Sequence, residues 1–368
     1  MKILHVTNHF YPCVGGVEKY VYNLCKKLQL LGHQSDVCCL DTCAHKRKKL
    51  VKYEEHEGIK IYRISSFDLK YYKIAPKVIN YIKNYDIIHI HGVGFFVDFL
   101  SLLKIVHRKS LLLSTHGGIF HTKKVSFFKK IYFYFWLKHI LKKINKTLAV
   151  SKNDYKLFSR ISSNILLVEN GVDFKYFSVK GGGKGGSMLY IGRISENKRI
   201  DNLIKVIYFL SKKNLDIKLY IVGEDWGGLK KGLEKNVRKN GLEKNVVFTG
   251  KVSDEKLLFY MKKARFFVSA SEYEGFGLSV LEAMSSGTIP IINNIESFKN
   301  FIKNGKNGFI VDFSKPKKVA KIINNLINKD TSGISEKAKE TAKKYDLERK
   351  IEKIEKIYKT LVRIEKIR

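Results

Sequence analysis

Short apolar runs alternate with amphipathic stretches of helical period along this chain. The alternation occurs twice, on either side of a run of glycines at 181–186. Before that run the strand candidates are 3–7, 34–40, 59–64, 85–91, 111–114 and 147–150, with an amphipathic helix over 17–31 that ends at Gly32. After it come strand candidates 188–191, 218–222, 246–249, 266–269 and 290–292, interleaved with helices over 200–212, 254–264, 280–286 and 319–327. Apolar runs too continuous for one wet face, separated by helices, predict parallel sheets covered on both sides. The expected fold class is therefore α/β, with two doubly wound, Rossmann-like domains. Residues 1–180 make the first and 187–345 the second, with the glycines between as a flexible linker. A charged terminal helix over 346–368 is expected to pack back on the first domain. Ligands of such folds bind outside the carboxyl ends of the strands, so a cleft between the halves is the expected site.

Composition narrows the class. A hydrophobic fraction of 44% over 368 residues supports packed cores rather than disorder. No run of 18 uncharged apolar residues occurs; the most apolar stretch, 87–103, contains His89, His91 and Asp98. The amino terminus lacks a signal pattern, and the five cysteines are odd in number with no C-x-x-C pair. Reduced, buried thiols in a cytoplasmic protein are expected.

The formal charge is +36, with 59 Lys against 11 Arg. From Phe99 to Asn153 there are 12 Lys and Arg and no Asp or Glu. Within that span lysines interleave with aromatics: Lys123, Lys124, Phe127, Phe128, Lys129, Lys130 and Trp136 are the candidate membrane contacts. A helical wheel over 127–144 yields no clean polar face. A helix set against anionic headgroups would combine aromatics and lysines in this way. A solvated basic face and a polyanion-binding surface are the alternatives.

Between Glu272 and Glu282 the chain reads EYEGFGLSVLE, after an apolar run and before a helical pattern. Glu274, Gly275, Phe276, Gly277, Leu278, Ser279 and Glu282 thus occupy a strand-to-helix loop and a first helical turn. Glycines there let backbone amides approach a ligand at the positive end of a helix. Ser279-x-x-Glu282 also reads as a capping box. Arg193 and Lys198 follow a strand, where two cations suit a diphosphate or simply face solvent. Gly15 and Gly16 open a helix, as an anion site or a tight turn, with Glu18 as a first-turn acid. His116 ends a strand, either facing a ligand or packed. His89 and His91 share a strand face and lack a convincing third metal ligand.

Taken together, Gly15-Gly16-Val-Glu18, Ser114-Thr-His116-Gly-Gly, Leu189-Tyr-Ile-Gly-Arg193 with Lys198, and Glu274 to Glu282 resemble the motifs of glycosyltransferase family 4, in order, over about residues 1–350. The resemblance implies the GT-B architecture and a retaining hexosyltransferase whose nucleotide-diphosphate-sugar donor lies mainly on the second domain. It implies that Arg193 and Lys198 hold the donor diphosphate, that Glu274 bonds the sugar hydroxyls and Glu282 the ribose, and that His116 contacts the transferred sugar. Gly250-Lys251-Val252-Ser253 is similar to the segment bordering the base. His116, Arg193, Lys198 and Glu274 are the catalytic candidates. No Asp-x-Asp pair occurs, so no metal and no cofactor is expected. The basic-aromatic region suggests a lipid-linked acceptor, a polyprenyl-linked saccharide or a glycolipid, and a peripheral location on the cytoplasmic face of the membrane, with no nucleic-acid partner. A soluble transferase making a storage or osmolyte sugar shares these motifs. A non-catalytic polyanion-binding protein would explain the charge alone.

Overall fold

The computed structural model describes residues 1–13, 15–43, 49–69, 72–117, 126–179, 181, 183, 185–213 and 217–367. It divides into two compact units, Met1–Asn170 with Glu348–Arg368, and Gly171–Leu347.

Among the described residues the first unit carries an eight-stranded sheet. Its strands are β1 (Lys2–Val6), β2 (Gln34–Leu40), β3 (Tyr53–His56) and β4 (Ile59–Ile64) and, after a small ribbon of β5 (Phe67–Asp68) and β6 (Lys73–Ile74), β7 (Ile87–His91), β8 (Ser110–Ser114), β9 (Lys146–Ala149) and β10 (Ile165–Leu167). The spatial order is β10-β9-β8-β7-β1-β2-β4-β3, parallel except for the β3–β4 hairpin. All five residues of β7 and of β8 are buried, the polar ones being His89, His91, Ser110 and Ser114. The helix Leu347–Ile367 belongs to this unit. Lys27 pairs with Glu348 at 2.8 Å, His33 with Glu355 at 2.9 Å, and the Tyr358 hydroxyl lies 2.6 Å from His89 Nδ1.

The second unit contains a six-stranded parallel sheet of β11 (Gly186–Ile191), β12 (Ile217–Val222), β13 (Val246–Gly250), β14 (Phe266–Ser269), β15 (Ile289–Asn293) and β16 (Phe309–Val311), in the order β13-β12-β11-β14-β15-β16. Helices Ile200–Ser211 and Pro316–Ile327 pack one face through Leu203, Ile207, Val319 and Ile323. Helices Asp254–Lys263, Leu278–Ser285 and Ser332–Lys344 cover the other through Met261, Leu281, Met284 and Ala338.

Three sequence expectations change. The glycine run is not a free tether: the Gly181 amide donates to the Ser286 carbonyl at 3.0 Å and that of Gly183 to Ala264 at 3.3 Å. Cβ atoms at these two positions would strike the backbone of Ser286 and Lys263, so Gly181 and Gly183 serve close packing. Nor are all the cysteines reduced, because Cys13 and Cys43 form a disulfide while Cys25, Cys38 and Cys39 are buried thiols. Parallel pairing of β1 with β2 brings their following loops to the same end of the sheet, an adjacency no sequence spacing reveals. Finally, 127–144 is not one α-helix. Ser126–Ile131 is α-helical, Tyr132–Leu137 is π-helical and Lys138–Leu141 is α-helical again. The wider π turn shifts the phase of the side chains, and a single 100° wheel smears the faces together.

Candidate functional site

Strand order reverses in the second unit at β11 and β14, whose chain connections run to opposite sides of the sheet. Loops leaving the carboxyl ends of two such strands part from each other, and a ligand site forms between them. The loop after β11 carries Arg193 and Lys198; the loop after β14 carries Glu274. Backbone bonds tie the loops together, the Glu272 amide donating to the Asn197 carbonyl at 2.9 Å. Lys198 is buried, and its Nζ lies 2.5 Å from Glu274 Oε1, which also accepts from Ser271 Oγ at 2.9 Å. A lysine out of water needs such a counter-charge.

Arg193 is exposed, and its guanidinium stacks 4.2 Å from the centre of the Trp226 ring. The Tyr190 hydroxyl donates to the Arg193 carbonyl at 2.9 Å. Burial pushes the Tyr190 phenol well above its ordinary range, with the nearby Glu274 carboxylate adding to it and Arg193 opposing. Tyr190 therefore stays neutral between the two loops.

The helix begins earlier than the capping-box reading requires. Leu278–Ser285 has Gly277 as its N-cap, at φ 97°, so Ser279 lies inside the first turn and Glu282 in the second, where it is buried. Gly277, not Ser279, therefore holds the N-cap position that a capping box would use. A Cβ on Gly277 would come within 2.7 Å of Phe298, while one on Gly275 would meet nothing within 4 Å. Gly277 is thus a packing and turn residue, and Gly275 leaves an open face. The Phe276 ring is in the core against Phe301 and Tyr345, which leaves the loop its backbone. Lys251 is exposed after β13, and Val252 packs partly against the core.

In the first unit the order reverses between β1 and β7, and a cluster of histidines sits there. His5 on β1 is in register with His89 on β7. His5 Nδ1 lies 2.9 Å from His91 Nε2, and His91 Nδ1 lies 3.0 Å from His116 Nε2. Burial lowers His5 and His116 to about 3, and takes His89 and His91 well below the ordinary histidine range. His5, His89 and His91 could converge on a metal, their ligand atoms lying within 4.8 Å of one another. Every ring nitrogen in that trio also has a hydrogen-bond partner, through Ser35, Ser114, Tyr358, His116 and one another.

His116 itself is half-buried and left-handed, at φ 46°. Asp154 braces it from both sides, accepting from Thr115 Oγ1 at 2.5 Å and from the Gly117 amide at 2.9 Å. Gly15 caps the helix Gly16–Leu30, and the Glu18 carboxylate folds back against it at the positive helix end. A Cβ on Gly16 would meet nothing within 4 Å.

On the surface of this unit Phe127, Phe128 and Phe135 are each 68% exposed, and Ile131 and Trp136 are exposed with them. Lys130 is exposed and Lys129 partly so. Lys123 and Lys124 lie outside the described residues. Sequence reasoning missed a second apolar group: Ile105 and Val106, 81% and 75% exposed, on the short helix Lys104–His107. Lys104 Nζ donates to the Lys143 carbonyl at 2.9 Å and so ties that helix to the basic-aromatic segment. The signal was present as two consecutive apolar residues flanked by Lys104 and Arg108. No helix among the described residues is long and apolar enough to cross a membrane.

Residues 14–176 match the family model Glycosyltransferase Family 4, and residues 177–345 match Glycosyl transferases group 1. The chain is 33% identical over 320 residues to a GDP-mannose:cellobiosyl-diphosphopolyprenol alpha-mannosyltransferase of Xanthomonas oryzae pv. oryzae, covering 86% of this chain and 84% of that protein. It is 32% identical over 315 residues to the protein of the same name from Komagataeibacter xylinus, covering 85% and 80%. Among solved structures, Anabaena HepE in complex with UDP superposes with a TM-score of 0.77 at 19% identity, over 98% of this chain and all of that one (100%). Sucrose-phosphate synthase from Thermosynechococcus elongatus gives 0.76 at 18%, over 98% and 99%. At those identities the structures speak to the fold alone. With both halves matched and the relatives aligned nearly end to end, the chain belongs to glycosyltransferase family 4, has the GT-B fold and is a glycosyltransferase.

Proposed function

We propose that the protein transfers a mannosyl residue from GDP-mannose to a saccharide carried on a polyprenyl diphosphate, with retention at the anomeric carbon and without a divalent cation. The observation that carries the reading is the agreement, at 32–33% identity over at least four-fifths of their length, with relatives named for that reaction. The switch point of the second unit supports it: Lys198 and Glu274 offer a cation and an anion together at 2.5 Å. Lys198 and Arg193 are assigned to the donor diphosphate, Glu274 to the sugar hydroxyls, and Glu282 to the ribose. His116 is assigned to the transferred sugar. Lys251, Val252, Gly275, Phe276, Gly277, Leu278 and Ser279 border the donor, several through their backbone. Gly15 and Gly16 supply amides for an anion at a helix end.

In the reaction the bond from the anomeric carbon to the diphosphate oxygen breaks as the acceptor oxygen bonds to that carbon on the same face. The acceptor proton passes to the departing diphosphate. Charge develops on that oxygen, which is where preorganised cations act most strongly. The exposed aromatics with Lys129 and Lys130, together with Ile105 and Val106, are assigned to the anionic leaflet that holds the acceptor, on the cytoplasmic face.

Purified protein is to be incubated with GDP-mannose or UDP-glucose and a short-chain polyprenyl-diphosphate disaccharide, with and without EDTA. The expected product is an α-mannoside, made from GDP-mannose at the same rate in EDTA. A β-linked product, an EDTA-sensitive rate or preference for UDP-glucose each removes the corresponding part of the reading. Sedimentation with vesicles containing phosphatidylglycerol tests the surface, and equal binding to neutral vesicles would remove it.

A further inference from the structure

Three neutral imidazoles in a row cannot choose their protons independently. Ser35 Oγ lies 3.0 Å from His5 Nε2, His5 Nδ1 lies 2.9 Å from His91 Nε2, and His91 Nδ1 lies 3.0 Å from His116 Nε2. We infer that these residues form one proton-ordered chain, in which His5 and His91 are positioning residues that decide which nitrogen of His116 bears its hydrogen. The inference deepens the assignment of His116 to the transferred sugar and rests on that assignment for its consequence in catalysis.

Each neutral ring has one N–H and one bare nitrogen. Every nitrogen-to-nitrogen contact must contain one hydrogen, because two bare nitrogens repel and two N–H groups collide. The direction of donation is therefore the same at every link. If His116 donates from Nε2, then His91 donates to His5, and His5 donates from Nε2 to Ser35. If Ser35 donates instead, then His5, His91 and His116 all carry their hydrogens on Nδ1, and His116 offers Nδ1–H as a donor.

The serine end selects between these. Ser35 is buried on β2, and a hydroxyl that donates to His5 has used its one hydrogen. In the opposite order that hydrogen has to find another acceptor, and the neighbouring group is the Cys25 thiol, whose sulfur accepts poorly. The chain thus runs from Ser35 outward. His89 stands apart from it: its two nitrogens bond Tyr358 and Ser114, while its ring lies 4.1 Å from that of His91.

Burial keeps the rings neutral, which the argument requires. The far end is rigid as well. Asp154 grips the residues on both sides of His116, and the Tyr20 ring meets the imidazole edge-on at 5.0 Å. The partner on one nitrogen of a histidine governs what the other can do. His116 on this reading is fixed as a donor, recognising a sugar oxygen by its lone pair.

The test reads the hydrogens directly, by long-range nitrogen–proton NMR of the full-length protein labelled with ring-15N histidine at neutral pH. His5, His91 and His116 are expected to carry the hydrogen on Nδ1, the minority form of free imidazole. His91→Met removes the donor, and His116 is expected to revert to Nε2–H. His91→Asn, whose amide reaches the place of Nδ1, is expected to keep His116 on Nδ1–H and to recover most of a turnover loss of roughly 10–100-fold in His91→Met. Nε2–H on all three rings in the wild type overturns the assigned direction and the donor role of His116, and a mixed pattern, or no change in His91→Met, overturns the chain. Should His91→Met fail to fold, Ser35→Ala serves: loss of the uniform Nδ1–H pattern supports the chain, and an unchanged pattern overturns it. If the NMR pattern holds while His116→Ala keeps full turnover, the chain stands and the sugar assignment falls.

Discussion

Acid should unfold the first unit well before the second. All 11 histidines of the chain lie at or before residue 139, so the second unit has none. His5 is fully buried, and its pKa falls from 6.5 to about 3 on folding. A depressed histidine binds its proton more readily in the unfolded chain. Its neutral burial therefore costs nothing above pH 6.5, and stability is lost as pH falls from 6.5 toward 3. At pH 5 the difference amounts to about 2 kcal/mol for His5 alone. His89, His91 and His116 shift the same way. Each such group adds up to about 1.4 kcal/mol per pH unit to the slope below its unfolded pKa, so the loss is steeper than His5 alone would give. Asp98 and Asp154 act in the opposite sense, because burial raises their carboxyls and acid relieves that cost. Against a typical domain stability of about 5–15 kcal/mol, the histidine term is a large fraction of what keeps the unit folded as pH falls toward 5.

The chain carries its own reporters for this experiment. Of its two tryptophans, Trp136 lies in the first unit and Trp226 in the second. Urea melts of the single-tryptophan variants Trp226→Phe and Trp136→Phe, from pH 7.5 to 4.5, follow the units separately. The Trp136 signal should show a steep loss of stability, and His5→Gln should reduce its slope by about one proton. The Trp226 signal should change much less. A slope below one proton for the first unit, or equal slopes for both, would refute the burial argument.

Other outcomes follow from the donor-side geometry and the surface. Arg193→Ala should lower turnover at least ~100-fold with the fold intact by circular dichroism, since a cation at a leaving oxygen acts mainly in the transition state. Lys198→Met and Glu274→Gln should each lower the melting temperature, and the double variant should lose less than their sum, with a coupling of roughly 0.5–3 kcal/mol; additivity would mean the ion pair contributes nothing. Gly277→Ala should cost about 1–3 kcal/mol, because it combines a left-handed backbone with a collision against Phe298. Ile105→Ser with Val106→Ser should weaken sedimentation with anionic vesicles while leaving urea stability within experimental scatter, given how exposed both residues are.

Much of the strand framework could be read directly. The runs at 34–40, 59–64 and 266–269 coincide with β2, β4 and β14, of which Phe266–Ser269 is buried throughout and Ile59–Ile64 alternates apolar and polar residues. Short edge elements escaped: β3 and β16 have only four and three residues and carry half-exposed side chains. What sequence could not convey was adjacency. Cys13 and Cys43 are 30 residues apart, and Lys198 and Glu274 are 76 apart; each pair meets because parallel strands deliver their loops to one end of a sheet. His5 drew no notice, since one histidine in an apolar strand looks like core until β7 and β8 set His91 and His116 in line with it. The π turn at Tyr132–Leu137 defeated the wheel for a related reason: backbone period is an assumption of that reading, and here it changes midway.

The two switch points put opposite electrostatics at corresponding places. At β11 and β14 the loops bring a buried lysine against a carboxylate, a pair whose charges are held ready by each other. At β1 and β7 the strands themselves set histidines side by side, and burial lowers their pKa values. On the proposed assignment the first arrangement suits a nucleotide diphosphate, whose oxygens would take over Lys198 while sugar hydroxyls take over Glu274. Neither ion then loses a partner as the donor enters, which avoids the penalty of leaving a buried charge alone. A neutral sugar calls for the second, where a fixed N–H discriminates by direction rather than by charge. On the proposed assignments the first unit thus recognises by an oriented, neutral N–H and the second by charge.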